Sequence, residues 1–410
     1  MNLIELAGSI LKYGDTCDHC LGRFFGKRSF GLTNEIRGRS IRIARALACN
    51  EPYIQAAGTC WVCGNLLDDI AIWAERVVTS LERIEYATFL IGTRVPPLMA
   101  ESEEMVWSDL HLTDAEPLKA EMNREVGKAV STLTGKSAEF KNPDVVILLD
   151  PATGKVHVEI HPVFFYGRYR KMERGIPQTH WDCRLCHGKG CERCNFTGKQ
   201  YPDSVEELIG REAAGLFQAE GSVLHGSGRE DIDARMMGTG RPFIMEMVAP
   251  RKRSIALPEL EERINRSAGG RVSVTLERWS GRHEVEIIKS NKAHKKYRIL
   301  VEVDGSFSAD EVRSALKSLE GVIIHQRTPQ RVAHRRADKI RERRALSVEY
   351  RGEESGNIVV EITGEAGLYI KELISGDNGR TTPSLAGILG TSARVSSLDV
   401  VQVGETMEEE

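Results

Sequence analysis

Eight of the nine cysteines fall into two sets of four thiols, and these sets constrain what the chain can fold into more than any other feature. The first set joins Cys17 and Cys20 to Cys60 and Cys63 across a gap that runs from residue 21 to residue 59. Paired CxxC knuckles with no secretory context are a pattern for tetrahedral structural zinc, since a reducing compartment keeps thiols free to act as ligands. Redox thiols are the competing reading, and closure over so long a gap depends on the fold. The second set, Cys183, Cys186, Cys191 and Cys194, has four residues between its pairs, with Gly188 and Gly190 permitting the tight turns of a second zinc knuckle. His19 lies inside the first knuckle but is expected to be a spectator, because four thiolates already complete the shell. Cys49 is left over and is expected to be a small buried hydrophobe.

A chain of 410 residues exceeds one ordinary core and fits two or three domains. No apolar run approaches the roughly 20 residues of a membrane helix. The start Met1-Asn2-Leu3-Ile4-Glu5-Leu6-Ala7 lacks a basic region followed by a small-residue cleavage site. A cytoplasmic protein with no membrane segment is expected. The net charge of -3 argues superficially against a nucleic-acid partner. The distribution overrules it, because Arg327, Arg331, Arg335, Arg336, Lys339, Arg341, Arg343 and Arg344 face only Asp338 and Glu342 in the same stretch. After the Thr328-Pro329 turn this run predicts an RNA-contacting loop and helix, against the plainer reading of a solvated face.

Residues 1–70 read as short helices around a metal knot. Helical spacing follows over 71–85, then a strand at 86–91 and a helix over 117–133. Residues 144–150 and 156–160 flank Pro151-Ala152-Thr153-Gly154 as a β-hairpin. Tyr166-Gly167-Arg168-Tyr169-Arg170-Lys171 interleaves aromatics with cations, which suits stacking on bases and contacts to phosphate. Beyond residue 204, strands are expected at 271–277, 283–289, 297–303 and 357–363, with helices near 308–319 and 369–375. The pattern is α+β. The tail Glu408-Glu409-Glu410 reads as disordered.

One turn carries chemistry. Gly226-Ser227-Gly228-Arg229-Glu230-Asp231-Ile232-Asp233-Ala234-Arg235 places carboxylates among glycines and arginines just before a predicted strand. Glycine lets the backbone turn sharply and nearby cations favour an ionised carboxylate, as a nucleophile or base requires. Taken alone it equally describes a solvated turn with Arg-Asp pairs. Asp231 and Asp233 compete for the role, since a spacing of two in an extended segment puts both on one face.

Two later segments weigh toward the chemical reading. Lys295-x-Tyr297 opens a strand, and Gly367-Leu368-Tyr369-Ile370-Lys371-Glu372-Leu373 opens a helix. A Gly-Arg-x-Asp turn, a Lys-x-Tyr strand and a Gly-x-Tyr-Ile-Lys-Glu-Leu segment, in that order, resemble the three motifs of pseudouridine synthases. With the CxxC pairs and a THUMP-like segment upstream, nearly the whole chain is similar to the archaeal tRNA pseudouridine synthases of the Pus-ten type. The resemblance implies a pseudouridine synthase-like catalytic domain with a mixed, largely antiparallel sheet, preceded by zinc-binding and THUMP-like α+β RNA-binding parts. The boundaries are 1–70 for the zinc segment, 71–175 THUMP-like, 176–203 second knuckle, 204–404 catalytic and 405–410 tail.

It implies isomerisation of uridine to pseudouridine at positions 54 and 55 of the tRNA T loop, with structural zinc, no organic cofactor and no protein partner. By matched motif positions Asp231 is the catalytic carboxylate, reacting at uracil C6, at C1′ or with a sugar proton. Arg229 helps hold the flipped uridine out of the stack, and Tyr297 packs on the uracil ring. Tyr369 and Ile370 form the pocket wall, and Lys371 pairs with Asp231. A non-catalytic zinc and THUMP RNA-binding protein is the alternative. A THUMP-bearing methyltransferase is disfavoured, because Gly238-Thr239-Gly240 runs into Arg241-Pro242 and not into a helix.

Overall fold

The structure is a computed structural model that describes residues 2–404, apart from the side chain of Arg335. It divides into one unit up to His161 with Arg251–Arg253, and a second of Pro162–Pro250 and the chain from Ser254 onward. In the first unit the cysteine set organises three helices, Leu3–Leu11, Asp18–Arg23 and Asn34–Cys49. The Cys17 sulfur caps the second of these, accepting from the Cys20 N–H at 3.3 Å, so one side chain serves as both thiol ligand and N-cap. The second and third helices touch backbone to backbone. A Cβ at Gly22 would fall 1.8 Å from the Asn34 carbonyl oxygen, and one at Gly38 would fall 1.9 Å from that of Asp18.

The predicted helix after the knot is Ile70–Leu81, and the next is Leu118–Thr134. The latter buries Met122, Val126 and Val130, four residues apart, in one core with Phe89, Ile91, Val145 and Ile147. Those last residues come from a four-stranded sheet of β1 (Thr88–Thr93), β2 (Ser137–Ala138), β3 (Val145–Asp150) and β4 (Lys155–Ile160), in the order β2-β1-β3-β4. The hairpin β3–β4 is antiparallel as its alternation predicts, whereas β1 runs parallel to β2 and β3.

The second unit is built on a ten-stranded mixed sheet. Its strands are β5 (Val163–Lys171), β6 (Gly221–Gly226), β7 (Arg235–Val248), β8 (Val272–Ser280), β9 (Lys295–Val303), β10 (Ile323–Arg327), β11 (Ile340–Glu354), β12 (Asn357–Gly364), β13 (Thr381–Thr382) and β14 (Ala393–Val403). They lie in the order β13-β10-β11-β12-β9-β14-β7-β5-β8, with β6 also on β7. Among the described residues, its strand pairs are antiparallel except the short parallel β14–β7 pairing. The α+β class is as expected from the sequence.

Four expectations need correction. The strand carrying Tyr166 to Lys171, grouped above with the THUMP-like segment, is an interior strand of the second unit between β7 and β8. There Tyr169 and Lys171 are fully buried, so they face the core and not RNA. Residues 283–289 are not a strand but part of helix Arg282–Ser290: Val285 and Ile288, three apart, pack with Phe164 and Ile244, while Ile287 is exposed. The basic run forms a short 3-10 turn, Gln330–Arg335, and then β11, where a helix was expected. Cys49 is exposed at the end of its helix. The acidic tail lies outside the described residues.

The close helix contact makes a local prediction. Gly38→Ala inserts a methyl group where no space exists, at about 1–3 kcal/mol. Amides of Asn34–Cys49 should exchange with solvent roughly tenfold or more faster, with those of β9 and β14 unchanged. Unchanged exchange in the helix would show that it can shift to accept a side chain.

Candidate active site

The loop between β6 and β7 is fixed by buried charge. Gly228 adopts φ +73°, a left-handed conformation that glycine takes without strain and that turns the chain sharply. Glu230 is 6% exposed and pairs with Arg241 of β7, whose Nε donates at 2.8 Å. The Tyr169 hydroxyl donates to the same carboxylate at 2.8 Å, and Gln178 Nε2 donates to that hydroxyl oxygen at 2.8 Å. Burial pushes the Tyr169 phenol well up, so it serves as a donor.

The carbonyl oxygens of the loop are then taken one after another. Arg241 Nη1 donates to Ser227 (2.7 Å), Gln178 Nε2 to Gly228 (3.0 Å) and Arg174 Nη1 to Asp233 (2.8 Å). Lys171 Nζ donates to Asp231 (3.3 Å), Ile232 (3.1 Å) and Ile176 (2.8 Å). The backbone of Asp231 is thereby held while its carboxylate projects free of the core.

That carboxylate lines a cavity of about 380 Å³. Across it stand Tyr297 and Lys295 of β9, Leu398 and Val400 of β14, Tyr369, Ile370 and Lys371 at the start of helix Ile370–Ser375, and Arg331 and Arg336 after β10. Arg331 Nη1 reaches Asp231 Oδ1 at 2.9 Å and its Nε reaches the buried Glu372 at 2.7 Å. Lys371 Nζ lies 3.7 Å from Asp231 Oδ2 but 2.6 Å from Asp233 Oδ2. Burial raises the Asp233 carboxyl, yet the hydrogen bond and charge of Lys371 outweigh it and hold Asp233 below the usual carboxylate range. The two candidates are thus distinguished: Asp231 is 30% exposed on the cavity wall, and Asp233 is 68% exposed.

The remaining sequence candidates converge on the same cavity. Burial pushes the Tyr297 phenol up to about 12, so its ring is a neutral wall. Ile370 is 4% exposed. The Tyr369 hydroxyl accepts from Arg336 Nη1 at 2.9 Å, and its backbone is clamped by Gln326 through N–H and C=O at 2.8 and 2.9 Å. Arg229 lines the rim and stacks 4.8 Å above the Trp181 ring.

Sequence reasoning gave Glu372 and Lys295 no role of their own in this cavity, took Arg331 and Lys171 for RNA contacts, and passed over the supports Arg241 and Glu230. Arg331 was one cation among eight in its run. Lys295 had a usable signal, its place two residues before Tyr297, which puts both side chains on one face of a strand.

Both thiol sets assemble. In each, all four sulfurs lie within 4.8 Å of one another. Zn–S bonds of about 2.3 Å in a tetrahedron put sulfurs about 3.8 Å apart. Cys17 and Cys63 stand at 3.7 Å, Cys183 and Cys191 at 3.9 Å, and Cys186 and Cys194 at 3.8 Å, so the thiols fit zinc. His19 instead places Nδ1 3.1 Å from Glu121, outside the thiol shell.

Comparison with known proteins places these features in a family. The model "Pus10, C-terminal" matches residues 164–404, and the archaeal "Pus10 THUMP domain" matches residues 73–150. A protein of Methanothermobacter marburgensis named tRNA pseudouridine synthase Pus10 is 45% identical over 99% of this chain and 100% of its own. A protein of the same name from Methanothrix thermoacetophila is 43% identical over 98% and 95%. A solved Cbf5-Nop10-Gar1 complex contains a chain that matches 50% of this one and 46% of itself, at 19% identity and a TM-score of 0.32.

Elemental analysis of the undenatured protein should find about two zinc ions per chain. Substituting Cys60 and Cys63 with serine should leave about one ion and unfold the helices around the first set. Metal-free native protein would overturn both assignments.

Proposed function

The chain belongs to the Pus10 family of tRNA pseudouridine synthases, and from that premise we propose that Asp231 converts T-loop uridines 54 and 55 of tRNA to pseudouridine. The chain is an isomerase that makes pseudouridine in tRNA. The observation that carries the residue assignment is the cavity in which a loop-fixed Asp231 carboxylate faces the Tyr297 ring.

The reaction breaks the C1′–N1 bond, turns the freed uracil and rejoins it through C5. N1 gains a proton and C5 loses one, so no redox partner or energy source is needed. The uridine must first leave its stack. Arg229 at the rim suits holding it out, Tyr297 suits packing on the flipped ring, and Tyr369 with Ile370 closes the opposite wall. Arg331 and Lys371 surround Asp231 with positive charge, while Lys371 also occupies Asp233 and keeps it out of the reaction. A purely RNA-binding reading gives this cavity no role.

Binding of tRNA draws on the basic run beside the cavity and on the THUMP domain. Among the described residues no helix is long and apolar enough to cross a membrane. A tRNA substrate and thiol ligands that require reducing conditions support a cytoplasmic site of action.

Asp231→Asn removes the charge and almost no volume. On unmodified tRNA transcript, pseudouridine at both positions should fall at least about a thousandfold with tRNA affinity kept. Asp233→Asn should retain most activity. Substantial turnover by Asp231→Asn rejects the assignment.

Lys339→Glu with Arg344→Glu, both exposed in the basic run, should weaken tRNA binding and flatten its salt dependence by roughly 0.7 to 0.9 per lost phosphate contact. An unchanged slope would make the run a solvated face.

A further inference from the structure

Lys295 is a cation of the cavity that the roles above leave unused. It opens β9 two residues before Tyr297, and Lys295, Tyr297, Ile299 and Val301 share the inward face of that strand. Lys296 faces the other way and pairs with Glu361 at 2.9 Å. The Lys295 ammonium donates to the Ala293 carbonyl oxygen at 3.2 Å and, among the described residues, has no carboxylate within ion-pair distance. Lysines are rarely held in a pocket wall without a counter-charge, because desolvation is uncompensated. Here the counter-charge has a natural source in the substrate.

We propose that Lys295 is a catalytic residue that donates a hydrogen bond to a carbonyl oxygen of the flipped uracil and stabilises the negative charge that the ring acquires during isomerisation. The inference rests on the pseudouridine synthase reading. Whether the carboxylate reacts at C6, at C1′ or with a sugar proton, an electron pair moves onto the ring and is delocalised onto O2 or O4. Forming the C1′–C5 bond consumes that pair, the carboxylate leaves C6 or C1′ or returns the sugar proton it took, C5 then releases its proton, and N1 takes one up. Lys295 keeps its own proton throughout. A fixed cation aimed at charge present only in the intermediate accelerates the reaction without tightening ground-state binding.

The surroundings suit this role. Arg241 faces Lys295 from β7, Tyr297 flanks it on β9, and around the rest of the cavity lie Arg229, Asp231 and the Arg241-paired Glu230 on the loop, Tyr369 and Lys371 at the start of helix Ile370–Ser375, and Arg331 and Arg336 after β10. Arg331 and Lys371 are committed to carboxylates. Burial, reinforced by the Arg241 charge, pulls the Lys295 ammonium down to about 8. The ammonium is therefore present below pH 8 and lost as pH rises through it. Tyr297, up near 12, does not titrate in that range.

The test is the single-turnover rate of pseudouridine formation on unmodified tRNA with saturating enzyme, from pH 6 to 10, with tRNA affinity measured in parallel. The unmutated rate should fall above about pH 8. Lys295→Met, similar in length and uncharged, should lose about a hundredfold in rate with affinity within about threefold, and should lose the alkaline limb. Lys295→Arg should recover most of the rate and move the limb beyond pH 10. A Met variant within threefold of the unmutated rate, a loss confined to affinity, or equal losses in the Met and Arg variants would each overturn the inference. If the Met variant does not fold, the limb in the unmutated protein and its shift in the Arg variant still decide. Inactivity of the unmutated chain on any tRNA brings down the family-based reading as well, and so differs from failure of the Lys295 role alone.

Discussion

The ion pair of Glu230 with Arg241 is the interaction on which the candidate site depends. Both side chains are 1% exposed, so each has given up its hydration and has only the other and nearby dipoles in exchange. Such a pair adds little net stability over a hydrophobic pair, yet removing one partner leaves a buried charge at a cost of about 3–5 kcal/mol. Its structural effect is specificity: Glu230 is adjacent to Asp231, so burying the first directs the second outward. The hydroxyl of Tyr169 on Glu230 and Arg241 Nη1 on the Ser227 carbonyl complete the arrangement. Lys171 adds a cation whose ligands are three carbonyl oxygens. The β6–β7 loop is thus a peptide turn wrapped around charges supplied from β5 and β7. Its backbone is held by groups from its own side of the cavity.

A loop fixed from behind leaves the front of the site to be arranged by charge. Three carboxylates, Asp231, Asp233 and Glu372, face two cations, Arg331 and Lys371. The planar fork of Arg331 spans Asp231 and Glu372, which a point-like ammonium does less well. Lys371 sits between the two loop aspartates and is closer to the one that faces solvent. Both cations come from elements distant in sequence from the loop, so the electrostatics of Asp231 require β10, β14 and helix Ile370–Ser375 to be packed correctly.

How much of this was legible in the sequence follows from the range of the interactions. The order of the three motifs, the hairpin β3–β4 and helix Leu118–Thr134 were readable because each is set by local periodicity or by a short spacing. The eight zinc-type thiols were readable from spacing alone, and the structure brings them together. The segment Tyr166 to Lys171 misled because composition cannot reveal that a strand is interior. Alternation places Phe165, Tyr169 and Lys171 toward the core only once β7 and β8 flank it. Arg282–Ser290 misled because Val285 and Ile287 mimic a two-residue alternation, whereas the pair that packs inward is the partly buried Val285 with the buried Ile288. Arg331 was hidden for a third reason: its partners lie 100 and 41 residues away, and nothing local separates it from its basic neighbours.

The second thiol set connects to the same loop through the chain on either side of it. Immediately before Cys183 stand Gln178, which holds both Tyr169 and the Gly228 carbonyl, and Trp181, on which Arg229 stacks. Past the chain that follows Cys194, the Ser204 hydroxyl caps helix Val205–Phe217, and Glu206 in its first turn accepts from the backbone N–H of His180 and of Leu224 in β6. A bridge between Asp182 and Lys199 closes the base of the knuckle. The residues that leave β5 and those that enter the helix are thus brought side by side beneath four sulfurs. A metal there shortens the free chain between Gln178 and Glu206 to a small rigid turn, which lowers the entropy cost of holding both in place. The knuckle, distant from Asp231 in sequence, thereby helps set the back of the β6–β7 loop, and this gives a structural reason for zinc in an enzyme whose chemistry needs no metal.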